Sequence, residues 1–316
     1  MSPRDLERST GPRVEVEVTG LVFRTPLIVA SGVLGSSASM LTTVSKNPSV
    51  GAIVTKTVTY SPRAGYENPT ALDLGFGFLN AMGLPNPGYL EYRAELETMK
   101  KDFETPLIVS IGPSDEKEAA EMAVSLSSVA DGFEVNLSCP HAKSLGLELG
   151  SDTAKVKSIV NAVCGSTSKP VWVKVSPNVT DVVEIARAAT EAGGNAITAV
   201  NTVRGMAIDV SAMKPVLSNV YGGLSGKAVR PIAVRTVYEL YEKLKVPIIG
   251  CGGVYDWRDA VELILAGATA VQIGSAIACS KSDLKIFSEI EKGIIKYLAA
   301  KGFSGIRELI GLAHAS

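Results

Sequence analysis

Eight short apolar runs recur along this 316-residue chain, at 27–30, 52–55, 107–110, 133–137, 171–175, 196–200, 247–250 and 270–273. Most are apolar at consecutive positions, not at alternate ones. A strand of that kind buries both faces, as parallel strands do when helices cover them. Helix-period segments lie between the runs. Asp181 is placed to cap one, with Glu184 at the third position and Val182, Ile185, Ala186 and Ala189 as its apolar stripe before Gly193-Gly194. Asp256 opens another, with Trp257, Val261, Ile264 and Leu265 as inward candidates and Gly267 as the stop. Val234, Val237, Tyr241 and Leu244 mark a third, and Ser114 is placed to cap a fourth that runs to about Ala130. Eight strand-helix units predict one (β/α)8 barrel domain over 1–316, of the TIM type. A doubly wound open sheet is the competing architecture, but no G-x-G-x-x-G turn follows the first strand. Ahead of the barrel, Val14, Val16 and Val18 alternate with charges, Thr19-Gly20 turns and Leu21-Val22-Phe23 returns. That hairpin is expected to close the bottom of the barrel.

The formal net charge is −1, so nothing in the composition points to nucleic acid. No apolar run approaches the roughly 20 residues that span a bilayer. The four cysteines, Cys139, Cys164, Cys251 and Cys279, have neither disulfide nor metal spacing. With a polar N-terminus, they read as reduced thiols of a cytoplasmic protein. Only two histidines occur, so no metal site is expected, and His314 reads as solvated tail.

Loop lengths are uneven. The long connections follow the second strand (56–104), the fourth (from 138) and the sixth (201–230). All three leave the carboxyl ends of strands, which form the catalytic rim of a barrel. The fourth strand ends Phe133-Glu134-Val135-Asn136-Leu137-Ser138-Cys139-Pro140-His141. A free cysteine is most often a buried small hydrophobe; this one follows a strand end and an amide. Cys251-Gly252-Gly253 and Gly274-Ser275 end the last two strands, where barrels usually bind phosphate. Glycine there lets backbone N–H groups approach an anion. Lys56 and Lys174 end two more strands. Each is either matched by a carboxylate or available to an anionic ligand. Asn80, Asn136 and Asn201 each follow apolar residues and precede a loop. Singly, each is a plausible turn former. Together with Thr202 they suit a ring of alternating N–H and C=O groups, such as a pyrimidine.

The segments Asn136-Leu137-Ser138-Cys139-Pro140, Asn80-Ala81-Met82-Gly83-Leu84, Asn201-Thr202 and Gly222-Gly223-Leu224-Ser225-Gly226 resemble the class 1 dihydroorotate dehydrogenases. Leu224-Ser225-Gly226 with Pro231-Ile232-Ala233 is most similar to the class 1B catalytic subunit. The resemblance implies an FMN-dependent barrel that oxidises dihydroorotate to orotate in pyrimidine biosynthesis. It implies Cys139 as the catalytic base removing the C5 proton while hydride leaves C6 for flavin N5. Substrate would be held by Lys56, Asn80, Ala81, Met82, Gly83, Leu84, Asn136, Asn201 and Thr202. FMN would be held by Ser31, Lys56, Thr57, Asn136, Lys174, Val200, Gly226, Gly252, Gly253, Gly274 and Ser275, with Lys174 stabilising charge on the reduced ring. The class further implies an iron–sulfur and FAD subunit that passes electrons to NAD, on a homodimer core of a heterotetramer; class 1A relatives use fumarate instead. Two residues depart from the pattern. His141 and Ser110 stand where many of the family carry asparagine. The Asn-x-Ser-Cys-Pro-His start is shared with dihydropyrimidine dehydrogenases, which act on uracil and thymine and form the main alternative. A non-catalytic phosphate-binding barrel is the other.

Overall fold

The computed structural model describes residues 11–34, 37–137, 149–279 and 284–315. A hairpin of β1 (Val16–Val18) and β2 (Leu21–Phe23) precedes the first barrel strand, β3 (Leu27–Val29). There follow β4 (Ala52–Val54), then β5 (Ala71–Asp73) and β6 (Phe78–Asn80) within the first long connection. Next come β7 (Leu107–Ile111), β8 (Gly132–Asn136), β9 (Val171–Val175) and β10 (Ala196–Ala199). The long connection after β10 carries β11 (Val203–Gly205), β12 (Ile208–Asp209), β13 (Lys214–Pro215) and β14 (Gly222–Ser225). The chain returns to the barrel with β15 (Ile248–Cys251) and β16 (Ala268–Ile273).

Strands β3, β4, β7, β8, β9, β10, β15 and β16 close into an all-parallel barrel in chain order. Their ends differ from the apolar runs of the sequence by two residues at most. Helix-length connections favour adjacent, right-handed crossovers, and here every successive pair of barrel strands is adjacent, so sequence order is spatial order. The long connections after β4 and β10 instead meet each other. Strands β11, β14, β6 and β5 form an antiparallel sheet over the carboxyl rim, with Gly223 opposite Asn80. The hairpin sits at the opposite end, as expected. Trp172 lies inside the barrel, donates from its indole N–H to the Thr19 hydroxyl at 3.0 Å and meets Phe23 edge-on.

Helices cover the barrel where the capping residues place them. Asp181 accepts from the N–H groups of Val183 and Glu184 and starts the helix Val182–Glu191. Asp256 forms a reciprocal capping box with Asp259 at the start of the helix Trp257–Leu265. The helix expected from Ser114 begins one residue later. Asp115 is its cap, it spans Glu116–Leu126, and the Ser114 hydroxyl is taken by the Glu118 carboxylate. A carboxylate suits the positive end of a helix better than a hydroxyl does. Two inward stripes also turn. Ala233, Thr236, Val237 and Leu240 are the buried face of Arg230–Lys243, leaving Tyr241 exposed. In the helix after Asp256, Asp259 and Leu263 are buried and Trp257 and Leu265 only half-buried.

His314 is not solvated tail. Its ring stacks on Tyr238 at 3.7 Å between centroids and meets Tyr241 at 5.0 Å. One ring nitrogen lies 3.1 Å from the Ala266 carbonyl, an unpaired acceptor at a helix end. A stacked ring and a hydrogen bond are each worth about 1 kcal/mol. His314→Ala should therefore cost about 1–2 kcal/mol of unfolding free energy in urea. An unchanged midpoint would show that the contact contributes nothing.

Candidate active site

A cavity of about 680 Å3 opens at the carboxyl ends of the barrel strands, beneath the rim sheet. Strand ends β3, β4, β8, β9, β10, β15 and β16 each contribute a side chain or turn to its wall. Ser31, Lys56, Thr57, Asn80, Ala81, Met82, Gly83, Leu84, Asn136, Lys174, Val200, Asn201, Thr202, Gly226, Gly252, Gly253, Gly274 and Ser275 all line it. These residues span 245 positions of sequence, and the barrel brings them to one place. Cys139 and His141 lie outside the described residues.

The amides form a chain across the cavity wall. Asn201 donates to the Asn136 carbonyl at 3.2 Å, and Asn136 donates to the Thr57 hydroxyl at 3.2 Å. Thr57 is held in turn by Ser31 at 3.2 Å and by the buried Ser110 at 2.8 Å. Ser110 itself is not on the cavity wall; it supports Thr57 from behind. Asn80, at the end of β6, donates to the Gly223 carbonyl, so the rim sheet fixes the third amide. Gly223 lies so close to Thr202 that a Cβ would stand 2.1 Å from its hydroxyl, which explains the glycine there. Asn178 was not singled out in the sequence. It donates to the Thr202 carbonyl and accepts from Arg204 N–H, and so braces the loop that carries Thr202. Its only signal was position: it follows the fifth strand on the same rim.

The two lysines differ. Lys56 is partly buried, and no carboxylate partners it among the described residues. Burial pulls its pKa below the ordinary lysine value. An anion bound beside it would restore the charged form. Lys174 has partners inside the barrel. Its Nζ donates to the Gln272 side-chain carbonyl at 3.0 Å and lies 3.7 Å from Glu134 Oε1. Glu134 is fully buried, and its Oε2 accepts from Thr198 at 3.0 Å and from Gln272 at 2.5 Å. Burial pulls the Lys174 ammonium down, but Cys251 and Glu134 beside it outweigh burial and hold its pKa above the ordinary value. Burial pushes the Cys251 thiol up against the pull of Lys174. Glu134 is the carboxylate that pairs with the ammonium. Both alternatives for an inward lysine thus hold at once: Lys174 faces the cavity and is matched by a carboxylate. The sequence shows Glu134 plainly, as a charge inside an apolar strand, but does not say which lysine it meets.

Glycine turns shape the remaining wall. Gly252 and Gly253 have φ of +134° and +74°, and a Cβ on Gly253 would stand 2.5 Å from Arg230 Cβ. A side chain there is both strained and obstructed, so the backbone itself faces the cavity.

Strand ends that gather fixed cations, amides and bare backbone around one cavity define a barrel enzyme that acts on a small polar ligand. Comparison with known proteins says which kind. The family model described as dihydroorotate dehydrogenase matches residues 13–298. The dihydroorotate dehydrogenase B (NAD(+)) catalytic subunit of Pyrococcus furiosus is 46% identical over 300 residues, covering 95% of this chain and 98% of the relative. The protein of the same name from Methanosarcina mazei is 48% identical over 298 residues, covering 94% of each chain. That from Methanocaldococcus jannaschii is 42% identical over 304 residues, covering 95% and 98%. The chain belongs to the dihydroorotate dehydrogenase family, a family of oxidoreductases.

Proposed function

We propose that this chain is the catalytic subunit of an FMN-dependent dihydroorotate dehydrogenase, which oxidises dihydroorotate to orotate in pyrimidine biosynthesis. The observation that carries the proposal is the chain of amides from Asn201 through Asn136 to Thr57 in the same cavity as Lys56 and Lys174. A dihydropyrimidine carboxylate offers alternating donors and acceptors to the first and a negative charge to the second.

The wall also fits FMN. Gly252, Gly253, Gly274 and Ser275 line the cavity in the loops where barrels place a phosphate, and their backbone N–H groups are the donors this reading assigns to it. Lys174 offers the only cavity-wall cation with a matched counter-ion among the described residues, so it is a fixed charge and not a titrating one near neutrality. Bound FMN supplies the acceptor for the hydride that leaves substrate C6. The residues of this chain do the rest. Lys56, Asn80 and the 81–84 segment orient the substrate, with Asn136, Asn201 and Thr202 on its other edge. Cys139 removes the C5 proton as general base. A thiol, with a pKa of about 8.5 in water, is nearer neutrality than the hydroxyl of a serine.

Purified protein should be yellow, and anaerobic dihydroorotate should bleach it. Bleaching by dihydrouracil alone would replace this substrate with that of the dihydropyrimidine dehydrogenases. A colourless protein that binds no added FMN would refute the flavin. The relatives are named as catalytic subunits of an NAD(+) form. We therefore place the electrons with NAD by way of a separate subunit carrying FAD and an iron–sulfur cluster. Direct turnover of the isolated chain with fumarate would argue against that route.

Lys56 gives the binding a pH signature. Its pKa is depressed in the ligand-free protein, and an anionic ligand raises it again, so binding takes up a proton. The uptake occurs between the depressed value of the free protein and the higher one that the bound anion restores. Across that window affinity for orotate should fall as pH rises, by up to tenfold per unit. Titration in two buffers of different ionisation enthalpy would read the proton directly. Lys56→Met should abolish both the uptake and the slope; persistence of either would acquit Lys56.

A further inference from the structure

The Lys174 ammonium is held from below by Gln272, itself on the cavity wall, and by Glu134, which with Thr198 is not. Glu134 on β8 hydrogen-bonds to Thr198 on β10 and to Gln272 on β16. Neither strand neighbours β8 in the barrel, so these bonds cross the lumen. Lys174 stands on β9, next to β8, and its Nζ reaches both Gln272 and Glu134. Gln272 therefore bridges the two charges, accepting from the ammonium and donating to the carboxylate. Glu134 Oε2 already accepts twice; Oε1 has no hydrogen bond and faces Lys174.

A buried carboxylate with one oxygen unbonded is costly to keep. A barrel lumen is ordinarily filled by branched apolar side chains. The lumen could have been packed without this charge, and Lys174 could then have snorkelled up to the rim. Instead the pair sits at the floor of the cavity, with the ammonium on the wall and the carboxylate out of a ligand's reach.

We propose that Glu134 is the positioning residue of this site: it anchors the Lys174 ammonium at the cavity floor and keeps it charged whatever occupies the cavity. The titratable groups that face Lys174 among the described residues are Glu134 from β8 and Cys251 from β15; Glu134 is the carboxylate of the ion pair, and burial pushes the Cys251 thiol up. Gln272 and Thr198 supply dipoles alone. Remove the charge of Glu134, and Lys174 is left buried with a glutamine and a neutral thiol. Its protonated form then loses its counter-ion and becomes the unfavoured one. The consequence for the flavin rests on the FMN reading above; the anchoring does not.

The test uses the isosteric Glu134→Gln, which keeps the acceptor for Thr198 and Gln272 but not the charge. Protein labelled at lysine Cε reports each lysine's titration by NMR, and the Lys174 signal is assigned by its loss in Lys174→Arg. In ligand-free protein, Glu134→Gln should lower the proton affinity of Lys174 at least tenfold. A change under threefold would overturn the proposal. If Glu134→Gln does not fold, the parent decides: Lys174 must titrate above free lysine despite its burial, and titration below it overturns the proposal. The FMN-loaded protein gives the functional arm. Loss of charge on Lys174 should weaken binding of reduced relative to oxidised flavin, and each tenfold lowers the two-electron midpoint potential by about 30 mV. The gap between variant and parent should widen as pH rises through the Lys174 titration of the variant. A gap that is constant with pH would overturn the link to the flavin. A parent that binds no flavin refutes the FMN reading, and the NMR arm then stands alone.

Discussion

Cys139→Ala should keep the yellow colour of the protein and lose about 10²–10⁴-fold in the rate at which dihydroorotate bleaches it, the usual contribution of a general base. Colour and chemistry separate because the residues proposed to hold FMN stand on strand ends and glycine turns, and Cys139 is not among them. The expected loss lies in the chemical step, so orotate affinity should change by less than threefold. Rapid-mixing reduction of the flavin under anaerobic conditions reads the rate; equilibrium titration reads the affinity. Cys139→Ser should fall between, since a hydroxyl is a far weaker acid than a thiol and holds its proton at neutral pH. Equal bleaching rates in parent and Cys139→Ala would remove the thiol from the mechanism.

Lys174→Met should cost about 3–5 kcal/mol of unfolding free energy, the usual penalty for leaving one member of a buried ion pair without the other. Glu134 is fully buried, so its uncompensated charge has no route to water. The double variant Lys174→Met/Glu134→Gln should regain most of that loss. An uncharged pair of similar volume no longer bears the desolvation of two ions, and such replacements are often neutral. The two positions therefore should show a large coupling in a double-mutant cycle. Additive costs would show that the 3.7 Å separation carries no interaction. The pH dependence follows from the sign of the shift. Lys174 is raised above its ordinary 10.5, so the pair's contribution is complete below that value and is lost only as pH rises through the folded pKa. The difference in stability between parent and Lys174→Met should therefore persist across neutral pH and shrink only in strong alkali.

The periodicities of the chain were enough to place the barrel. Short runs of consecutive apolar residues set between helix-period segments read as doubly covered strands, and Asp181 and Asp256 cap helices through bonds to residues two or three positions on. Local contacts of that kind are written in neighbouring residues. The stripe of Arg230–Lys243 was not so legible. Val234 and Tyr241 fit a helical period as well as Ala233 and Leu240 do, and only the neighbouring elements chose between them. His314 misled for a similar reason. Nothing near it in sequence announces Tyr238 or the Ala266 carbonyl.

By itself the sequence determined the eight strands, their order, the rim that carries the long loops, and the residue types gathered there. Those follow from runs of consecutive apolar residues and from spacings of three to four, which a linear chain displays openly. Tertiary structure alone decided that the loops after β4 and β10 join in one sheet, and that Lys174 has an anion while Lys56 has none among the described residues. Glu134, Lys174, Thr198 and Gln272 lie on four strands, up to 138 residues apart, and their meeting inside the lumen depends on barrel closure. The charge state of a buried group is set by such distances, not by the identity of the group, and distances across a barrel have no signature along the chain.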